Sequence, residues 1–355
     1  MPDTEYPPAA YGFPAVCGSG IFLTGRGQHA GIIGFGGQIS QAELEAIAPG
    51  KRVAAAIPQA ITRADAGFAL EIRMDAEIVF ACAPEARVTV YAFDATERGC
   101  IDGLKSILKS EDRPSVISIS WGWPEKTDDE PFWSQGGVGE VEELLAALTR
   151  QRITVTASSG DAGAAIYYPG SSAWVLSCGG TEFCGDEEQV WSLAGYASGG
   201  GMSAVIPIPP WQVEAGIRCD GQPAITDYVH RCVPDVSACA VYSSASIGGV
   251  HAGTSAAAPL WAGVITLANQ RLADLGLPPV GSIHALLYDA SSGLQAAFGN
   301  ITAGNNSTSG GFPAYRARPG WDACTGWGTP RVGPFVEALA SAVSRAQVDS
   351  SGSGL

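Results

Sequence analysis

The sequence predicts an α/β fold, with a largely parallel central sheet carrying helices on both faces. Three observations lead there. Short apolar runs of strand length alternate with helix-length periodic segments along the first half of the chain. Several of those strands read as buried on both sides, as parallel strands under crossover helices must be. The chain has 355 residues, 46% of them hydrophobic and 15% charged, enough for one large core.

The elements follow in order. Residues 29–35 (His-Ala-Gly-Ile-Ile-Gly-Phe) read as a first buried strand with glycines near its end, and residues 41–47 as a helix. Residues 68–83 read as a second helix and residues 87–93 as a strand with alternating apolar positions. A helix over 98–109 leads to a buried strand at 115–120 (Ser-Val-Ile-Ser-Ile-Ser), which runs into Trp121-Gly122. A helix over 137–149 precedes a strand at 153–157, and the apolar segment 260–270 reads as a helix. With no internal repeat and no linker, one domain over 1–348 is expected. Residues 304–311 form a Gly/Asn/Ser-rich loop, and residues 349–355 are expected to be disordered.

Charge narrows the function classes. The net charge is −15, and only four lysines are present. No basic patch is evident, so nucleic acid is not an expected partner. An excess of carboxylate suits a protein working in acid, although solubility accounts for the same number. No run of 18 or more apolar residues exists, so no membrane span is expected. The first 14 residues lack a basic-then-apolar signal pattern. Of the nine cysteines, Cys178/Cys184 and Cys219/Cys232 are near enough in sequence to bridge, and no Cys/His cluster has zinc spacing.

Three stretches can carry chemistry. Gly253-Thr254-Ser255 leads through small residues into an apolar helix. A serine there lies near unpaired N–H groups and the positive end of the macrodipole, as a nucleophile or as a helix cap. Glu71 and Asp75 are about 40° apart on one helix face, beside Phe68, Met74, Ile78 and Val79. Arg73 and Glu77 take the opposite, solvated side. Two buried carboxyls so close share a proton, or else form a capped or salt-bridged structural pair. Asp161, in Ser159-Gly160-Asp161 after an apolar strand, can bind a metal, cap a turn, or donate a hydrogen bond if protonated.

Together, Glu71-x-x-x-Asp75, Ser118-Ile119-Ser120-Trp121-Gly122, Ser159-Gly160-Asp161 and Gly253-Thr254-Ser255 resemble the sedolisins, the serine-carboxyl peptidases. Cys178-Gly179-Gly180-Thr181, Gly199-Gly200-Gly201, Pro210-Trp211-Gln212, Val233-Pro234-Asp235-Val236-Ser237 and Gly320-Trp321-Asp322 fit the same pattern. The resemblance covers residues 6 to 341. It implies a subtilisin-like fold in which a Glu replaces the histidine base. It makes Ser255 the nucleophile and Glu71 the general base and then acid. Asp75 would orient Glu71, and protonated Asp161 would donate to the oxyanion. Ser120, Trp121 and Gly122 would bind an extended substrate backbone by strand addition.

The implied activity is acid-active endopeptidase cleavage of peptide or unfolded protein by a monomer. The alternatives are a tripeptidyl-peptidase of the same family or a non-catalytic scaffold. The family's N-terminal prosegment is not among these residues, so a mature catalytic unit is expected, secreted or in an acidic compartment if a leader and prosegment were removed. Asn300-Ile301-Thr302 and Asn305-Asn306-Ser307 are glycosylation sequons, meaningful only on a eukaryotic secretory route.

A subtilisin of the ordinary kind needs a His-Gly-Thr-His stretch, which is absent, and His251 reads as a solvated side chain or subsite contact. A lipase elbow needs Gly-x-Ser-x-Gly, but Ala256-Ala257 follow Ser255. The resemblance also implies one Ca²⁺ site, with Asp322 as carboxylate ligand and Ile301, Arg318 and Gly320 giving carbonyls. The family pattern has Asp where this chain has Asn300, and Gly where it has Arg318. Losing a carboxylate weakens binding, because Ca²⁺ affinity follows ligand charge.

Overall fold

A computed structural model describes residues 6, 9–15, 17, 20–37, 39–47, 49–56, 66–125, 131–193, 195–219, 229–243, 248–308 and 314–352. Eight strands build the main sheet: β1 (His29–Phe35), β2 (Arg52–Ala56), β3 (Arg87–Phe93), β4 (Val116–Ile119), β5 (Thr154–Ser158), β6 (Leu176–Cys184), β7 (Glu187–Val190) and β8 (Val236–Cys239). Seven of them run parallel in the order β8-β6-β5-β4-β1-β3-β2, and β7 pairs antiparallel with β6.

The helices used below are α1 (Gln41–Ile47), α2 (Ala66–Cys82), α3 (Glu97–Lys109), α4 (Gln135–Arg150), α5 (Ala257–Asp274) and α6 (Val332–Gly352). Alternation along each strand sends neighbouring side chains to opposite cores. Ile32, Val88, Val90 and Val116 join one with α2, α5 and α6, while Ile33, Phe35, Phe93, Ile117 and Ile119 join the other with α3 and α4. That is the expected α/β sheet with helices on both faces. Helix α5 is buried almost all round, as a helix without a polar face must be. It lies tightly on α2: a Cβ added at Gly263 would come 2.4 Å from Cys82 Cβ.

Several boundaries differ from the sequence reading. Helix α2 spans Ala66–Cys82 rather than 68–83, and α5 is longer than 260–270 at both ends. Strands β2, β6, β7 and β8 were not anticipated. The first is a short alanine run, and the second contains Gly179-Gly180, so neither has a strong apolar period. Helix α6 continues to Gly352, past residue 349 where disorder was expected, and 353–355 lie outside the described residues. Of the 304–311 loop, Asn305 bridges to Arg316, and 309–311 lie outside the described residues. Cys178, Cys184 and Cys232 are free thiols, so neither suggested disulfide forms.

The Val-Pro-Asp-Val-Ser motif has a structural use at the start of β8. Arg231 donates to Asp235 Oδ2 at 2.7 Å, both side chains being fully buried. Tyr288 donates to Oδ1 and the Ser177 N–H to Oδ2, each at 2.7 Å. Burial alone would raise the Asp235 pKa, but Arg231 and His284 pull it down to about 2. A depressed acid adds stability that is present above its unfolded value and lost as pH falls through the folded one. This contribution therefore survives to about pH 2. Asp235→Ala should strand a buried guanidinium and lower stability by about 3–5 kcal/mol, read from the urea midpoint; a loss below about 1 kcal/mol would contradict it.

Candidate active site

Ser255 lies in the turn 253–256, between the hairpin Val241–Ser243/Val250–Ala252 and the first turn of α5. The helix cap is Ala256, with no side-chain capping bond, so neither Thr254 nor Ser255 acts as an N-cap. The Ser255 hydroxyl is instead left at the positive end of a buried helix. The Thr156 hydroxyl on β5 donates to the Ala258 carbonyl at 3.0 Å and pins this helix start to the sheet.

Glu71 and Asp75 face α5 from α2. Burial raises the Glu71 pKa to about 7; contact with the Ser255 hydroxyl lowers it somewhat, and the Asp161 charge raises it. Oε1 of Glu71 and Oδ2 of Asp75 are buried with no hydrogen-bond partner among the described residues. Asp75 is fully buried. Burial and then the neighbouring Glu71 push its pKa well above the usual range, against the Ser120 hydroxyl, which lowers it. Both carboxyls face inward and are pushed toward holding protons, and among the described residues neither is held by a salt bridge. The Arg73 and Glu77 side is not simply solvated. Arg73 reaches Glu43 on α1, and Glu77 accepts from Tyr242.

Asp161 comes in from the loop after β5. Gly160 before it has φ +110, and a Cβ there would meet the Tyr167 ring at 2.7 Å, so glycine is required. The Thr254 N–H and hydroxyl each lie 2.8 Å from Asp161 Oδ1 and donate to it. Burial nevertheless raises the Asp161 pKa. A Cβ added at Gly253 would sit 2.9 Å from Asp161 Oδ2 and 3.1 Å from Ser255 Oγ. The free side of the carboxyl and the serine hydroxyl therefore border one space. Rather than capping the helix, the Thr254 hydroxyl holds Asp161.

The Ser120 hydroxyl lies 2.7 Å from Asp75 Oδ1 and 3.1 Å from the Ser255 carbonyl oxygen, so its side chain faces the catalytic candidates. Trp121 donates its indole N–H to the Ile33 carbonyl and meets Phe68 edge-on. Gly122 packs close to Tyr168. A cleft of about 240 Å³ opens over Ser255, lined by Gly67, Leu70, Glu71, Met74, His251 and Ala252. Leu70 is not singled out by the sequence and Met74 only as an apolar neighbour of the acid pair, because apolar residues on a helix look like core. His251 Nε2 is bonded to Gly248 O at 2.9 Å within its own hairpin.

The implied calcium residues fit the ion poorly. Asp322 is buried, with Oδ1 accepting from the Cys324 and Thr325 N–H groups and Oδ2 from the Arg318 N–H and the Thr325 hydroxyl. The Arg318 guanidinium folds over the same loop toward the Trp321 and Arg218 carbonyls. Asn300 is neutral and exposed, Ile301 is buried, and Gly320 turns with φ +83. No group of three or more His, Cys, Asp or Glu side chains among the described residues could hold a metal ion. One carboxylate already satisfied by four internal donors, with neutral Asn300 in place of a second, is a weak ligand set for Ca²⁺.

Two measurements follow. Millimolar Ca²⁺ or a chelator should leave the melting temperature unmoved, and a clear rise with Ca²⁺ would contradict the poor fit. An acid whose folded pKa is raised supports the fold fully below its unfolded value, and that support fades as pH rises through the folded one. Glu71 should therefore lower the melting temperature between about pH 4.5 and 7. Glu71→Gln should flatten that fall; an identical pH dependence would be inconsistent with a buried, protonated Glu71.

The sequence profile of the subtilase family matches residues 30–328. Kumamolisin of Bacillus sp. (strain MN-32) is 31% identical over 359 residues, covering 92% of this chain and 62% of its own. Tripeptidyl-peptidase 1 of Homo sapiens is 27% identical over 301 residues, covering 76% of this chain and 52% of its own. This chain thus spans between half and two thirds of the length of these relatives. A solved Pseudomonas sedolisin, a serine-carboxyl proteinase complexed with two molecules of pseudo-iodotyrostatin, superposes with a TM-score of 0.75 at 22% identity, covering 93% of this chain and 96% of the other. The chain belongs to the subtilase family, as a sedolisin-like member.

Proposed function

We propose that this chain is an acid-active serine-carboxyl endopeptidase that cleaves peptide bonds of unfolded or flexible protein, acting as one catalytic domain. The observation that carries the reading is that Glu71 and Ser255 line one cleft, the serine hydroxyl near enough to lower the Glu71 pKa, while Asp161 Oδ2 and Ser255 Oγ both border the space beside Gly253.

In its ionised form, with the proton of the pair on Asp75, Glu71 would take the Ser255 proton as Oγ attacks the scissile carbonyl carbon. The oxyanion would then accept a hydrogen bond from protonated Asp161 through Oδ2, with Oδ1 already committed to Thr254. Glu71 would return its proton to the leaving amine, leaving an acyl ester on Ser255. Water, deprotonated by Glu71, would then attack the ester carbonyl, and Glu71 would return that proton to Ser255 Oγ as the acid product leaves. Asp75 would hold the other proton of the pair and orient Glu71. Residues 120–122 continue β4 beyond its last ladder pair, which favours strand-like pairing with a substrate backbone. The likeness to tripeptidyl-peptidase 1 makes release of tripeptides the second reading.

On denatured protein at about pH 4, Ser255→Ala should lose at least 10³-fold in kcat, and Glu71→Gln should fall comparably. His251→Ala should keep most of its activity, because its imidazole is bonded to its own hairpin. Wild-type activity should fade as rising pH takes the proton from Asp161, whose pKa burial raises. Equal cleavage by wild type and Ser255→Ala would favour a scaffold. Internal fragments rather than successive tripeptides, read by mass spectrometry, would separate endopeptidase from tripeptidyl action.

A further inference from the structure

Two tyrosines from the N-terminal segment reach the end of β8, the edge of the sheet. The Cys239 N–H donates to the Tyr11 hydroxyl at 2.8 Å, and the Tyr6 hydroxyl lies 3.1 Å from the Cys239 carbonyl oxygen. An edge strand leaves such groups without a ladder partner, and here phenols take both. The Tyr6 hydroxyl also lies 3.0 Å from the carbonyl oxygen of Ala256, the residue directly after Ser255. The Leu260 N–H of α5 reaches that carbonyl only at 3.4 Å, so the Tyr6 O–H, its one proton shared with the Cys239 carbonyl, is the nearer donor. Burial holds the phenol well above its usual pKa, so it keeps the proton it donates.

The contact continues to the other half of the site. The Tyr6 ring meets Tyr242 edge-on, with centroids 5.0 Å apart. The Tyr242 hydroxyl donates to Glu77, two residues beyond Asp75 on α2. Base and nucleophile sit on different elements, so their separation depends on what ties α2 to the turn before α5. Ser120 is one tie, touching Asp75 and the Ser255 carbonyl. The tyrosine pair is a second.

We infer that Tyr6 is a positioning residue: with Tyr242 it forms a strut that holds the peptide after Ser255 in register with the helix carrying Glu71. This rests on the peptidase reading above. A misplacement of order 1 Å between reacting groups costs up to about 10²-fold in rate.

The test compares wild type, Tyr6→Phe and Tyr242→Phe, each variant keeping its ring, on a quenched fluorescent peptide, with melting temperature and the pH profile of kcat/KM. For Tyr6→Phe, kcat should fall roughly 10- to 100-fold. KM should stay within about twofold, since positioning of the nucleophile is realised in the transition state. The acid limb should move to higher pH, because a Ser255 hydroxyl drawn away no longer steadies ionised Glu71. Tyr242→Phe should shift kcat and the acid limb in the same direction, and it reads the strut from its other end if Tyr6→Phe fails to fold. Unchanged kcat with an unmoved acid limb would overturn the strut, as would a kcat loss that merely tracks a lower melting temperature. If wild-type hydrolysis does not need Ser255, the peptidase reading falls instead.

Discussion

Burying carboxyl groups where no cation answers them is the constraint on which this site depends. Glu71, Asp75 and Asp161 gather around one serine; the Asp161 charge acts on Glu71 and the Glu71 charge on Asp75, and none of the three is ion-paired among the described residues. Desolvation penalises the ionised form, so each is driven toward holding a proton. Asp235 is as deeply buried and behaves in the opposite way, because Arg231 and His284 stand beside it and bring it to about 2. The same kind of side chain is held as an anion in one place and pushed toward its protonated form in the other. The difference is the partner, not the burial.

The fold supplies that arrangement through a few close approaches. Gly263 lets α5 lie directly on α2, so two helices far apart in sequence present the serine and the acid pair to each other. Gly160 turns the loop after β5 back over the sheet, and Thr254 anchors the carboxyl that the loop delivers. Parallel strands end on the same side, and loops from those ends meet there. The chemistry is therefore spread over residues 71 to 255, yet occupies one small space above the C-terminal ends of β4 and β5.

The loop around Asp322 shows how the same residue type can be diverted. An aspartate with free oxygens and neighbouring carbonyls is a calcium ligand; one that accepts four internal donors organises a turn. Arg318 strengthens that outcome by bringing a fixed positive charge to the loop. The N-terminal segment illustrates a related economy, its two phenols closing the sheet edge just before the chain turns toward Ser255.

From sequence alone, the parallel α/β architecture was legible because β1, β3, β4 and β5 are apolar enough to declare burial on both faces and alternate with helical periods. The pairing of Glu71 with Asp75 was legible too, because a spacing of four is a property of the helix itself. Strands β2, β6, β7 and β8 were not, since a short alanine run, a glycine-interrupted strand and two four-residue strands carry little periodic signal and are held by their neighbours' ladders. Only the tertiary structure decided which hydroxyl meets which carboxyl. Ser120 reaches Asp75, Thr254 takes one oxygen of Asp161, and Tyr6 reaches the peptide after Ser255. These are contacts between residues 45 to 250 positions apart, and no local period encodes them.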